Sequence, residues 1–138
     1  MDEPRFLSVD DVLALHTRAI KFAGGESSVR DYGLLESAVA AAQATFESEY
    51  LYRSIAEMAA RYWCSLCSNH PFVDGNKRTS LYAVDAFLSL NGLDLKLSYK
   101  EAEDITLRIA TRELTFEEVA KIIAERTIEL KDSEEVTE

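Results

Sequence analysis

The sequence predicts an all-α protein, and three observations carry that reading. Only 5 glycines and 2 prolines punctuate 138 residues, too few to break the chain into a sandwich of short strands. Alanine, leucine and glutamate, all strong helix formers, are abundant. Apolar residues recur at spacings of three and four along most of the chain, often behind a serine or threonine placed to cap a helix. With 47% hydrophobic residues this length encloses one core, so residues 1–138 read as a single domain. Its core spans about 6–125, and 132–138 form a charged C-terminal tail that frays.

Six helices follow in order. Ser8, with Asp11 three residues later, reads as a capping box opening a first helix. Val12, Leu15, Ala19, Ile20 and Phe22 form its inner face, and Gly24-Gly25 stops it. Arg30-Asp31-Tyr32-Gly33 leads into a second helix carrying Leu34, Leu35, Ala38, Val39 and Ala42. Gln43 to Leu51 breaks the pattern and reads as a loop or flap. Ile55, Met58, Ala59, Tyr62, Trp63, Leu66 and Cys67 then repeat the helical spacing without a miss, marking a core helix. Asn69-His70-Pro71 ends it, because the residue before proline is pushed out of the α region. The helix from about Asn76 to Asn91-Gly92 has two apolar stripes, Leu81, Val84, Leu88 and Ala83, Phe87, Leu90, as a buried central helix should. Leu93 to Leu97 is an extended connector. Ser98 with Glu101 and Thr115 with Glu118 open the last two helices, whose inner faces are Ile105 and Ile109, then Val119, Ile122 and Ile123.

The formal charge of −10 argues against general nucleic-acid binding, since positive groups would have to be gathered locally to hold a polyanion. No stretch reaches the ~18 apolar residues that a membrane span needs, and the N-terminus lacks the basic and apolar regions of a signal peptide, so a cytoplasmic protein is expected. Cys64 and Cys67 form a Cys-x-x-Cys inside the apolar pattern of the third helix. With only His16 and His70 to complete a metal site, two core cysteines are a better reading than a redox pair or half a zinc site.

The chemistry concentrates at His70-Pro-Phe-Val-Asp-Gly-Asn-Lys-Arg78. Gly75 permits close backbone approach, and Asn76, Lys77 and Arg78 fall in the first turn of a helix, where free N–H groups and the positive end of the dipole attract anions. Lys77 and Arg78 are unfavourable there unless an anion such as a phosphate offsets them. Asp74 would repel that phosphate unless a divalent cation bridges them, and Mg²⁺ suits a lone carboxylate plus phosphate oxygens. An imidazole ordinarily titrates near ~6.5, so His70 is placed to accept a proton from a hydroxyl at neutral pH. Phe72 reads as an apolar anchor for the loop.

This segment resembles the signature of the Fic/Doc family, whose Fic branch reads His-x-Phe-x-Asp/Glu-Gly-Asn-Gly-Arg-x-x-Arg. The match covers His70, Phe72, Asp74, Gly75, Asn76 and Arg78; Lys77 and Leu81 depart from it, both in the Doc direction. Val29 to Ala38 is similar to the segment that precedes the signature in Doc-like proteins, and the likeness runs over about residues 6–125. The resemblance implies a single-domain helical Fic/Doc fold, His70 as base, Asp74 as Mg²⁺ ligand, and Gly75, Asn76, Lys77 and Arg78 as the phosphate-holding group. It further implies ATP as donor. Doc proteins transfer the γ-phosphate where Fic enzymes transfer AMP. Lys77 fills space that a glycine would leave for phosphates, and Leu81 removes a cation from the AMP-transfer pose, which favours the kinase over the adenylyltransferase. A silent module that only binds a phospholigand is the third reading, and the intact His70 and Asp74 speak against it. The resemblance also implies a toxin that arrests translation by phosphorylating a threonine of elongation factor Tu. No glutamate is followed by Gly or Asn, so the inhibitory helix of many Fic proteins is absent and restraint is expected in trans, from a Phd-like antitoxin whose disordered tail folds on binding. Tyr50, Leu51 and Tyr52 are candidates either for such a groove or for the core.

Overall fold

The computed structural model describes residues 3–130; the charged tail expected at 132–138 lies outside the described residues. Six helices make up most of the described residues: α1 (Val9–Ala23), α2 (Tyr32–Ala40), α3 (Ile55–Asn69), α4 (Asn76–Leu90), α5 (Tyr99–Ala110) and α6 (Phe116–Arg126). Their starts follow local chemistry. Ser8 and Asp11, Ser98 and Glu101, and Thr115 and Glu118 form the three expected capping boxes, each satisfying backbone N–H groups that a helix start would otherwise orphan. Asp31 caps α2 through the Leu34 N–H, and Ser54 caps α3 through the Glu57 N–H.

Two small antiparallel sheets join the helices. The loop-or-flap segment is a 3-10 turn (Ala41–Gln43) followed by a hairpin of β1 (Thr45–Phe46) and β2 (Glu49–Tyr50). Its turn residues, Glu47 and Ser48, have φ of 51° and 68°, the left-handed pair that matches the strand twist in a two-residue hairpin. The connector after α4 is likewise a strand, β3 (Leu93–Leu95), paired with β4 (Thr127–Glu129) in the register Leu93↔Glu129, Asp94↔Ile128 and Leu95↔Thr127. Residues following α6 therefore return to the end of α4.

The centre is a pair of helices, and α3 rather than α4 is its hub, touching α2, α4, α5 and α6. Trp63, Tyr62, Met58 and Leu66 of α3 are fully buried with Val84, Phe87 and Leu88 of α4 and Val119 and Ile123 of α6. Two large polar tips in this core are paired: Trp63 Nε1 donates to Thr106 Oγ1 at 2.9 Å, and the Leu7 N–H donates to the Tyr62 hydroxyl at 3.0 Å. Burial pushes the Tyr62 phenol up to about 12. Two apolar side chains depart from the expected inner faces, since Phe22 and Leu90 are exposed; of the two places open to Leu51, its exposure excludes the core. In α1 the inward position goes to His16, which with Val12 and Ala19 completes the buried stripe. No described helix is long and apolar enough to cross a membrane.

Candidate active site

The segment between α3 and α4 is held from four directions. His70 ends α3 in the left-handed conformation, φ 51° and ψ 54°. Such a backbone costs a side-chain-bearing residue of order 1–3 kcal/mol and persists only when the surroundings enforce it. Arg30 supplies that enforcement, its Nε donating to the His70 carbonyl at 2.8 Å and its Nη2 to the Asn69 carbonyl at 3.0 Å. The backbone of 28–31 then zips against the loop: the Arg30 and Asp31 N–H groups donate to the Pro71 carbonyl, and the Val73 N–H donates to the Ser28 carbonyl.

Inside the loop, Phe72 is fully buried and lies flat on the His16 ring, with centroids 3.7 Å apart and planes 5° from parallel. His16 Nε2 donates to the Asp74 carbonyl at 2.8 Å, so one imidazole both packs and hydrogen-bonds the loop. Asn76 completes the clasp, its Oδ1 accepting from the Phe72 N–H and its Nδ2 donating to the Phe72 carbonyl. That amide is turned inward and spent on the loop; what Asn76 offers the cleft is its backbone. Gly75 sits at φ 82°, a backbone that residues with side chains rarely adopt, and a Cβ there would crowd Ile20 Cδ1 at 3.2 Å. Asp74 is exposed, with Oδ2 fixed by the Glu26 N–H at 2.8 Å. Gly25 suits the place beside it, with φ 116° and a Cβ that would crowd Asp74 Cβ at 3.1 Å.

A cleft of about 390 Å³ opens where this loop, the first turns of α4 and one side of α5 meet. His70, Asp74, Gly75, Asn76, Lys77 and Arg78, all the residues singled out from sequence, line it together. Leu81 lines it too, while Tyr99, Glu103 and Leu107 form the α5 side. The start of α4 has no side-chain cap, so its first N–H groups are unclaimed by any side chain. Lys77 is exposed, and Arg78 places its guanidinium carbon 4.7 Å above the Phe22 ring and 5.8 Å from that of Tyr99. Among the described residues neither cation is in an ion pair. Open N–H groups, two cations, a fixed carboxylate and an exposed imidazole in one cleft can bind a phosphate chain and take a proton from an approaching hydroxyl.

Sequence reasoning missed the supports of this cleft. His16 entered it only as a conceivable metal ligand, and Arg30 only in the lead-in to the second helix and as part of a resemblance; both act across long stretches of chain, where no local pattern speaks for them. Phe22, read as core, instead lies beneath Arg78 with 74% exposure. The Cys64 thiol is pushed up to about 11 by burial, and burial likewise raises Cys67, whose Sγ lies 3.2 Å from Ser80 Oγ. Both stay protonated near neutral pH, unlike reactive thiols.

The model of the Fic/DOC family matches residues 6–88. The chain is 40% identical to the Toxin Doc of Mycolicibacterium smegmatis over 121 residues, covering 86% of this chain and 91% of that one. It is 32% identical to the Protein kinase doc of Escherichia phage P1 over 116 residues, covering 84% and 90%.

Proposed function

The chain belongs to the Fic/DOC family, and on that premise we propose that it is a Doc-type toxin that transfers the γ-phosphate of ATP to a threonine hydroxyl of elongation factor Tu in the cytoplasm. One observation carries the reading: an uncapped, doubly cationic helix start shares a cleft with an exposed histidine. The backbone at Gly75 and Asn76, with Lys77 and Arg78, binds the phosphates. The acceptor oxygen attacks the γ-phosphorus, its proton passes to the His70 imidazole, and the bond to the bridging oxygen breaks to release ADP. Arg30 and His16 act through the backbone, holding the His70 and Asp74 carbonyls and so keeping both residues at the cleft.

The donor set suits Mg²⁺. No group of three or more His, Cys, Asp and Glu among the described residues could cage a metal, yet Asp74 offers one carboxylate, which is what Mg²⁺ uses beside substrate phosphates. When bound there the ion neutralises phosphate charge. Lys77 and Leu81 favour the kinase over AMP transfer: Lys77 occupies the second position of α4, and Leu81, 8% exposed, gives the cleft an apolar patch where an arginine would clamp distal phosphates. The names of the two relatives, a toxin and a protein kinase, support the same reading, and a Phd-like antitoxin is the partner proposed to neutralise it.

The test is incubation of the purified chain with Mg²⁺, elongation factor Tu and ATP labelled at the α- or the γ-phosphate. Label arriving only from γ supports the kinase; label from α makes the protein an adenylyltransferase, and binding without label a silent module. Lys77→Gly combined with Leu81→Arg should shift label toward α, and a double variant that still moves only γ removes the account of orientation. Co-expression with a Phd-like antitoxin should lift growth arrest.

A further inference from the structure

A second cavity, of about 420 Å³, lies beside the first cleft, among α4, β3 and the start of α5. Leu81 and Tyr99 line both, so the two share a wall. The α4 residues of the second cavity are Leu81, Asp85 and Ser89, which fall four apart and therefore along one edge of the helix. Leu93, Leu95 and Leu97, two apart along an extended segment, give it an apolar wall. Leu130 lines it too, its N–H bonded to the Gly92 carbonyl at 2.9 Å. The two cavities differ in charge. The first is lined by Lys77 and Arg78 beside its acids, whereas the second has two carboxylates, Asp85 and Asp94, and no cation among its lining residues.

Asp94 is already paired, with Lys96 Nζ 3.1 Å from its Oδ2. Asp85 is in no ion pair among the described residues. Although its side chain reaches solvent, the protein crowded around it makes its charge costly, and with Asp94 nearby this raises the carboxyl above the usual range. A cation at Asp85 offsets both causes. A metal ion does not suit, because no group of three or more His, Cys, Asp and Glu among the described residues could hold one, and leucines supply no oxygen ligands. The leucine wall suits a hydrocarbon stem instead, as lysine stems lie along apolar surface with the charge at a polar site. Small-molecule sites occupy about 300 to 1,000 Å³, and this cavity falls in that range. The geometry points to an aliphatic ammonium ion as its occupant, the stem along Leu93, Leu95 and Leu97 and the N–H donors shared by the Asp85 carboxylate and the Ser89 hydroxyl one turn on. A free polyamine and a lysine side chain of a partner protein share that chemistry. The site does not depend on the phosphoryl-transfer reading.

Binding is followed on the full chain through its amide chemical shifts, with four probes: hexylamine, methylammonium, which lacks the stem, hexanol, which lacks the charge, and hexanoate, which inverts it. Hexylamine should bind about tenfold or more tightly than the other three, moving the signals of Ser89, Leu93 and Leu95 rather than that of Val73 in the first cleft. Asp85→Asn, which keeps the shape, should remove the advantage over hexanol. Lys96→Ala, which frees Asp94, should strengthen hexylamine binding about threefold. Spermidine and Nα-acetyl-lysine methylamide tell the sources apart: displacement of hexylamine by spermidine marks a free polyamine, and displacement by the lysine amide alone marks a partner's side chain. Displacement by neither overturns the assignment. So does equal binding of hexylamine and hexanoate by the parent, a result that stands even if Asp85→Asn fails to fold. Unchanged hexylamine affinity in an Asp85→Asn variant with the parent's far-UV circular dichroism spectrum overturns it equally.

Discussion

Two helices begin at the same cleft in opposite ways. At the start of α5, Ser98 and Glu101 exchange hydrogen bonds with each other's backbone, and a carboxylate occupies the first turn. At the start of α4, Gly75 offers no side chain, and Lys77 and Arg78 occupy the turn where cations are least welcome. The first arrangement satisfies the fold; the second leaves donors and positive charge unspent. α1, α2, α3 and α6 all begin with an oxygen-bearing cap, as α5 does. The difference teaches that open donors at α4 are a local departure within a chain whose other helix starts are satisfied, and such departures gather where ligands complete the structure.

The comparison can be broken at several points. His70→Ala should lower phosphate transfer by about 10²- to 10⁴-fold with an unchanged far-UV circular dichroism spectrum. Transfer at the parental rate would divorce the α4 side from chemistry. Phe72→Ala removes the ring between His16 and the loop and should cost about 3–5 kcal/mol in urea unfolding; a loss below ~1 kcal/mol would mean that the loop does not depend on its anchor. Lys77→Glu should weaken ATP binding about tenfold or more by calorimetry while stabilising the protein by about 0.3–1 kcal/mol, a trade that a purely structural helix start would not show. Ser98→Ala should do the reverse, costing about 1 kcal/mol and leaving tripolyphosphate binding unchanged.

The smallest effect is in pH. The Ser98 backbone N–H, followed by Arg126, holds the Glu101 carboxyl below the usual range, and the Thr115 backbone N–H does the same for Glu118. A depressed folded value means that the stabilisation is full above the ordinary glutamate value of about 4.3 and drains away as pH falls from there through the depressed value. Melting temperatures between pH 7 and 3 should therefore drop less steeply for Glu101→Gln than for the parent, and parallel slopes would detach this box from acid stability.

What was legible in sequence is what is local. Capping pairs three residues apart, the helical repeat of α3 and the run from His70 to Arg78 all announce themselves within a few turns of chain. The hairpin at 45–50 was hidden because Glu47 and Ser48 take left-handed backbone without the glycine or asparagine that usually marks such a turn. The β3–β4 pair joins residues either side of two whole helices, so neither strand shows a partner nearby. Within the site, the groups and their shared cleft were foreseeable; the inward turn of the Asn76 amide was not, since nothing in its neighbours distinguishes an amide facing phosphate from one clasping Phe72. Phe22 was misread because helical spacing alone cannot tell a core face from an aromatic seat for a cation.

The bond from His16 to the Asp74 carbonyl spans 58 residues, and its consequence is kinetic as well as geometric. A newly made chain holds α1 long before the loop that α1 must grip, so the anion site cannot ripen piecemeal: it comes into being with the tertiary fold and vanishes with it. Amide exchange at Val73, whose N–H is locked to Ser28, would then report global opening rather than a private fluctuation of the loop. On the proposed toxin function, that coupling makes folding itself the moment of arming.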